Sequence, residues 1–383
     1  MKYFIMYICL FFVINNAIAN TKFQTSHMKM CKGQIQLYCE DVGKKNDLRE
    51  IMKCLAKNDV KLSVECKQEM QRFVQVSRQT KPPGGGPLGS IGGLAGLGAQ
   101  IPSISYEGRH ITNNHDDDTP VVNEGNLNLS IPVYKRGLNT LALTMKGGTL
   151  NLGEKVRLDS GDFVDTTFYR SETGIQYSRK LENRRMFGLR GSVGYTGDKL
   201  NSETQSFNIS ANYSYPGSDN NQWVLMLMMS NNSPLGAFVP IPGFFYITRT
   251  DTFTGIFGFP ILSMQWTPVN PWAFSLSFFG PMIRSEVAYG AIDEVQFFTA
   301  LGWKQQRYIV SERKEEDDRL TFEEKYSEVG IRKPIYKRAS VEGQIGYSYD
   351  RSVYVGEGLF NKDRGEADID SNWYAKWTIK MAF

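Results

Sequence analysis

The chain has 383 residues, and its 44 Lys and Arg nearly balance 40 Asp and Glu, for a formal net charge of +4. Near-balance excludes a basic stripe for nucleic acid and says nothing specific about partners. Aromatic residues make up 13%, glycines number 36 and mean hydropathy is -0.35. Beyond the N-terminal run, the longest apolar stretch, Trp223 to Met229, is only seven residues. That is too short for a membrane helix but compatible with strands whose polar and apolar side chains alternate.

The first predicted element is a secretory signal peptide over residues 1–19. Met1-Lys2 is a positive start, Tyr3 to Ile14 is an apolar run, and Ala17-Ile18-Ala19 is a cleavage site that leaves Asn20 as the mature N-terminus. The run falls short of the roughly 20 residues that span a bilayer. Cys9 leaves with this segment and lacks the small residues before it that a lipid-anchor site needs.

Residues 28–78 read as a small helical module carrying Cys31, Cys39, Cys54 and Cys66. Four cysteines close together in an exported chain point to two disulfides, with three pairings open. A zinc site is the alternative, but spacings of 7, 14 and 11 intervening residues lack close C-x-x-C pairs. Asp47 with Glu50 resembles a capping box, and Leu48, Ile51, Met52 and Leu55 share one helical face. Ser63 is the expected N-cap of a second helix running through Met70 and Phe73. So short a module buries too little apolar surface to stand without staples.

Residues 79–125, opening on Pro82-Pro83-Gly84-Gly85-Gly86-Pro87 and a Gly/Leu/Ala stretch to Gly98, read as a flexible linker. No strand precedes Gly92 to Gly98 and no Lys-Ser/Thr follows, so it is not a phosphate cradle. His115-Asp116-Asp117-Asp118 reads as a solvated acidic loop rather than a cation site.

From residue 126 to 383 the apolar residues recur with period two. Leu127, Leu129, Ile131 and Val133 alternate with polar neighbours, as do Leu141, Leu143 and Met145; Phe207, Ile209, Ala211 and Tyr213; Phe274, Leu276 and Phe278; and Val341, Ile345, Tyr347 and Tyr349. Gly147-Gly148, Pro216-Gly217-Ser218-Asp219 and Pro268-Val269-Asn270-Pro271 punctuate them. At Gly258-Phe259-Pro260 the apolar parity flips, which predicts a bulge. At Trp223 to Met229 both faces are apolar, so Val224, Met226 and Met228 are expected inside.

The last segment is the clearest. Trp373, Ala375, Trp377, Ile379, Met381 and Phe383 fall on one face; Tyr374, Lys376, Thr378, Lys380 and Ala382 on the other. Hydrocarbon outside and water inside fits that strand, and only a closed barrel puts strands in lipid. The predicted fold class is therefore all-β: a transmembrane antiparallel β-barrel of about 12 strands (10 to 14), preceded by the helical disulfide module. A secreted β-sandwich also alternates, but has no requirement for the aromatic belt of Trp373 and Trp377. An even strand count places both barrel ends in the periplasm, with Ser311 to Asp318 and Asp350 to Asp370 as outward loops.

Two resemblances follow from these residues. Cys39-Glu40-Asp41-Val42, Ile51-Met52-Lys53-Cys54-Leu55 and Leu62-Ser63-Val64-Glu65-Cys66 resemble the cysteine-rich repeat of the Golgi cysteine-rich glycoprotein family, here in one copy. That resemblance implies an extracytoplasmic binding or spacer role without catalysis. Pro240-Ile241-Pro242-Gly243-Phe244-Phe245-Tyr246, Gly258-Phe259-Pro260 and Trp266-Thr267-Pro268 resemble Gram-negative outer-membrane barrel families that have no assigned activity. The closing strand, with Trp373, Trp377, Ile379, Met381 and Phe383, looks like the signal read by the barrel-assembly machinery.

Chemistry is sparse. The mature chain has three histidines, His27, His110 and His115, all expected before the barrel, so no barrel-wall Ser-His-Asp site is available. No metal constellation, nucleotide fingerprint or cofactor site is seen, and the expectation is a protein that is not an enzyme. The lumen candidates are Arg190, Glu342, Gln344, Lys376 and Lys380. They line either a pore or a salt-bridge network that plugs it. Met226, Met228 and Phe238 to Tyr246 suggest passage of apolar molecules as a further alternative. The expected setting is the bacterial outer membrane with the cysteine module in the periplasm. The expected partners are outer-membrane lipid, the barrel-assembly machinery and a periplasmic protein docking on residues 28–78, without nucleic acid.

Overall fold

The computed structural model describes residues 31–39, 48–58, 61–68, 70, 102–111 and 122–382, less 154, 219, 270, 292, 293, 312, 337, 359, 360 and 363. The expected signal peptide, the Asp47 cap, Phe73, most of the linker, His27, His115 and Phe383 lie outside the described residues. The chain forms two compact units, residues 1–81 and 82–383.

The first unit contains α1 (Lys32–Tyr38) and α2 (Leu48–Lys57). The cysteines pair as Cys31–Cys66 and Cys39–Cys54, forming two disulfides rather than a zinc site and settling which of the three pairings occurs. Ile35, Ile51, Leu55 and Leu62 pack around the buried sulfurs, with Met70 against them. Ser63 is the expected N-cap: its hydroxyl oxygen accepts the amide of Cys66 at 3.2 Å.

The second unit is a closed antiparallel barrel. Its strands are β1 (Ser103–Ile111), β2 (Asn123–Arg136) and β3 (Asn139–Asn151). A small hairpin follows, β4 (Val156–Arg157) and β5 (Phe163–Val164). Next come β6 (Thr167–Lys180), β7 (Met186–Gly197), β8 (Gln205–Ser218), β9 (Asn221–Ser230) and β10 (Ile241–Arg249). Then β11 (Phe253–Phe259), β12 (Ile261–Trp266), β13 (Trp272–Phe279), β14 (Met282–Tyr289) and β15 (Gln296–Tyr308). The wall ends with β16 (Arg319–Tyr336), β17 (Ala339–Gly356), β18 (Glu366–Ile369) and β19 (Asn372–Ala382). Each wall strand pairs with its predecessor, and Ser103 opposite Ala382 closes the ring. β18 and β19 pair successive parts of β17 and form one broken stave. Without the β4–β5 hairpin, the barrel has sixteen staves.

That number corrects the expected twelve, for identifiable reasons. β1 lies inside the supposed linker 79–125, so the barrel begins at Ser103 rather than 126. Its outward face, Ile104, Tyr106, Gly108 and His110, has too few apolar residues to announce a strand. His110 is consequently in the barrel wall, on the outside, with Nδ1 2.6 Å from Asn123 Oδ1. Gly258-Phe259-Pro260 is not a bulge: β11 and β12 pair antiparallel around Pro260, and a tight turn reverses parity without an extra residue. True register shifts occur beside Pro132, Pro216 and Pro334, where a missing N–H leaves a gap in the ladder.

The outer face is apolar around the whole ring, with Ile175, Val193, Leu227, Leu301, Val329 and Ile345 each about half exposed or more. Aromatic pairs band it: Trp223 with Tyr246 at 4.6 Å, Trp272 with Tyr289 at 5.0 Å and Tyr347 with Trp373 at 5.3 Å. A closed strand ring in a hydrocarbon-facing belt is the geometry of a membrane-spanning barrel. Among the described residues no helix is long and apolar enough to cross a membrane. One rim carries the short connections 137–138, 181–185, 250–252 and 337–338, and both barrel ends. The other carries the longer 152–166, 231–240, 309–318 and 357–365.

Candidate functional site

The inner wall of β14–β19, β1 and β2 is laced by two sets of ion pairs joined through Tyr374. Arg109 grips the Glu324 carboxylate with both terminal nitrogens, one at 2.9 Å, and lies 3.5 Å from Glu124. Lys304 Nζ reaches Glu124 at 2.8 Å and Glu324 at 2.9 Å. The Arg109 guanidinium stacks 3.9 Å above the Tyr374 ring, whose hydroxyl donates to Glu328 at 2.8 Å. Glu328 also pairs with Arg284 and, at 2.9 Å, with Lys376. Glu286 pairs with Arg284 at 2.8 Å and Arg332 at 3.1 Å. Arg332 Nε then lies 3.0 Å from Glu342, an ion pair without a well-aligned hydrogen bond, and Lys380 reaches the same carboxylate at 3.0 Å.

Four of the five lumen candidates thus sit inside these sets. Glu342, Lys376 and Lys380 are paired, and Gln344 donates to Glu342 at 3.4 Å. Arg190 stands apart on β7. Sequence reasoning missed Arg109, Glu124, Arg284, Glu286, Lys304, Glu324, Glu328 and Arg332. The signal was the shared parity of Glu324, Glu328 and Arg332 along β16, hidden because Leu320, Phe322 and Tyr326 share that face.

The contacts also report the shape of the wall. β15 and β2 are five staves apart (β15-β16-β17-β19-β1-β2), on the order of 24 Å of wall at the usual strand spacing. Lys304 and Glu124 nevertheless touch, so the wall folds inward and side chains close the lumen between them.

Above the ion pairs lies an apolar plug. The β4–β5 hairpin sends Val156, Leu158 and Val164 inward against Phe168, Tyr308, Leu320, Phe322, Val353 and Ile369. A strap then crosses the mouth. β7 and β15 are eight staves apart, the widest separation in a ring of sixteen, yet the Ile309 amide donates to Thr196 O at 2.8 Å. The Ser311 amide donates to Asp198 at 2.8 Å, and the Arg307 and Arg319 guanidiniums donate to Ser233 O and Asn231 O at 2.9 and 2.7 Å. At the hairpin tip Lys314 donates to Asp162 at 2.7 Å, which holds that carboxyl below its usual range with help from the Ser160 hydroxyl.

The remaining sector differs. Val224, Met226, Phe245, Ile247, Ile256 and Ile261 form an inward apolar cluster with Met228 against it, as expected for β9. Phe238 is half exposed and is not part of that cluster. Serines and asparagines fill other inward positions, among them Ser206, Asn212, Ser214 and Ser263. Among the described residues no cluster of His, Cys, Asp and Glu has the form of a metal site.

No family model matches the chain, and no curated protein matches it. Among solved structures it is similar to an outer membrane channel from Pseudomonas putida F1, at 10% identity and TM-score 0.32, over 75% of this chain and 97% of that one. It is similar to the Pseudomonas putida toluene transporter TodX, at 10% identity and TM-score 0.29, over 80% and 93%. It is also similar to Wzi, a carbohydrate-binding β-barrel involved in group 1 capsule assembly in Escherichia coli, at 11% identity and TM-score 0.36, over 80% and 89%. Likenesses this distant carry no argument about substrate; the barrel stands on its own closed register.

Proposed function

We propose that this chain is an outer-membrane barrel that holds a conduit shut at rest, without catalytic activity. The observation that carries the reading is the strap from β15 to the diametrically opposite β7, laid over a hairpin plug. A permanently open pore has no need of either. The rim with short connections and both barrel ends would face the periplasm, and the long-loop rim the exterior. Lipid contacts the apolar belt, and the last strand serves as the assembly signal. The cysteine module would lie in the periplasm and offer a protein-docking surface, in keeping with its resemblance to an extracytoplasmic repeat.

A second reading is a purely anchoring barrel that never conducts. The density of paired charges between β14 and β2 favours it, because a network of this kind behaves as a core. Planar-bilayer recording separates the two. The closed-conduit reading expects a quiet wild-type barrel and defined current steps once residues 155–164 are replaced by a short Gly-Ser turn. A replaced barrel that folds yet stays silent supports the anchor instead, and large spontaneous steps in wild type contradict both. Co-purified fatty acid or hydrocarbon would favour an apolar solute through the β9–β12 cluster.

A further inference from the structure

The charges on β3, β6 and β7 do not balance. In the laced sector six cations, Arg109, Arg284, Lys304, Arg332, Lys376 and Lys380, each lie within 3.2 Å of a carboxylate, and a seventh, Arg351, donates to the Asp370 carbonyl at 2.6 Å. On β3, β6 and β7 the inward positions Lys146, Arg170 and Arg190 share one carboxylate, Glu172, and the only ion pair is Lys146–Glu172 at 4.0 Å among the described residues. The excess is two positive charges.

The register makes this one cluster rather than three isolated residues. Lys146 stands opposite Glu172, Gly148 opposite Arg170, and Gln176 opposite Arg190. Lys146 therefore falls between the two guanidiniums along the barrel, within electrostatic reach of both. Inward neighbours Thr144, Gly148, Gly174, Ser192 and Gly194 are short, and the longer Gln176 opposite Arg190 and Asn128 opposite Lys146 are uncharged. A third of the Lys146 side chain stays open. Arg170 also lies 5.9 Å over the ring of Tyr308, a member of the plug.

We propose that Lys146, Arg170 and Arg190 form a lumen subsite for a small, soluble multivalent anion bearing phosphate or several carboxylates. Partly buried like charges repel and stay solvated at a cost until an anion offsets them. Two planar guanidiniums grip a phosphate or carboxylate edge, and an ammonium between them adds a point charge. A monovalent ion would leave the excess uncompensated. Through Arg170 and Tyr308 the bound anion touches the underside of the plug, which makes it the class of solute the conduit would admit. That last step rests on the closed-conduit reading; the binding site does not.

The test is calorimetric titration of inorganic pyrophosphate into the full-length barrel in detergent at low ionic strength. Saturable one-to-one binding is expected, weakening as salt rises toward physiological levels. Arg170→Gln and Arg190→Gln should each weaken it by about tenfold or more, while Lys325→Gln on the outer face leaves it unchanged. Heat-modifiable migration on gels verifies that each variant has folded. Absence of saturable binding to folded wild type overturns the proposal, as does binding that both arginine variants retain. Binding is read without current, so a barrel that never conducts leaves this site standing. A conducting barrel that ignores pyrophosphate removes the site and spares the conduit.

Discussion

The two sides of this barrel solve the same problem differently. Between β14 and β2 the wall folds on itself, and six cations meet five carboxylates in pairs, while buried Arg351 on β17 donates to the Asp370 carbonyl. Between β3 and β9 the inward side chains are mostly small, amide or apolar, and three cations are left with one carboxylate. Paired buried charges give one sector a rigid polar core, whereas unmatched charges give the other a reason to hold a solute.

The largest effect expected from breaking that contrast is at Glu324. Glu324→Gln leaves Arg109 and Lys304 buried with less compensation and should cost about 3–5 kcal/mol, read as the urea midpoint of the folded, heat-modifiable form. A loss below about 1 kcal/mol would mean the laced sector is no core. Met226→Ala, in the apolar cluster of the other sector, should cost less, about 2–3 kcal/mol by the same assay, because a lumen-lining site can partly collapse.

The hairpin tip offers a pH-dependent contrast. Asp162 titrates below its usual range because Lys314 and Ser160 donate to it. A depressed folded-state value means the contact helps above the ordinary carboxylate range and is lost as pH falls through that lower value. Hydrogen exchange of the β4–β5 amides, normalised to intrinsic rates, should therefore rise in wild type below about pH 4. In Asp162→Asn it should already be raised and stay level with pH. The smallest effect belongs to the residue beside Glu324: Lys325 faces outward, pairing with an exposed Asp350, and Lys325→Gln should change stability by less than about 1 kcal/mol.

How much was legible in sequence follows the same division. β3, β8, β13 and β19 announce themselves because lipid demands apolar residues on one face and the lumen tolerates polar ones on the other. Trp373, Trp377, Ile379 and Met381 are exposed on the outer face as read. β16 was illegible because its inner face must serve both plug and ion network: Leu320 and Phe322 are followed by Glu324, Tyr326 and Glu328, so neither face reads cleanly. β1 was lost for a different reason. Arg109 makes sense only with Glu324, 215 residues later in the chain. Of the site, Glu342, Lys376 and Lys380 were found from parity alone, but parity cannot say which charges meet across a folded wall.

Alternation of lipid-facing and lumen-facing residues underlies every statement about the interior. Nitroxide labels placed singly from 374 to 381 test it directly by their accessibility to oxygen and to a polar nickel chelate in reconstituted bilayers. Labels at Ala375, Trp377, Ile379 and Met381 should collide with oxygen, and labels at Tyr374, Lys376, Thr378 and Lys380 should not. Equal accessibility at both parities would contradict the barrel and everything placed within it.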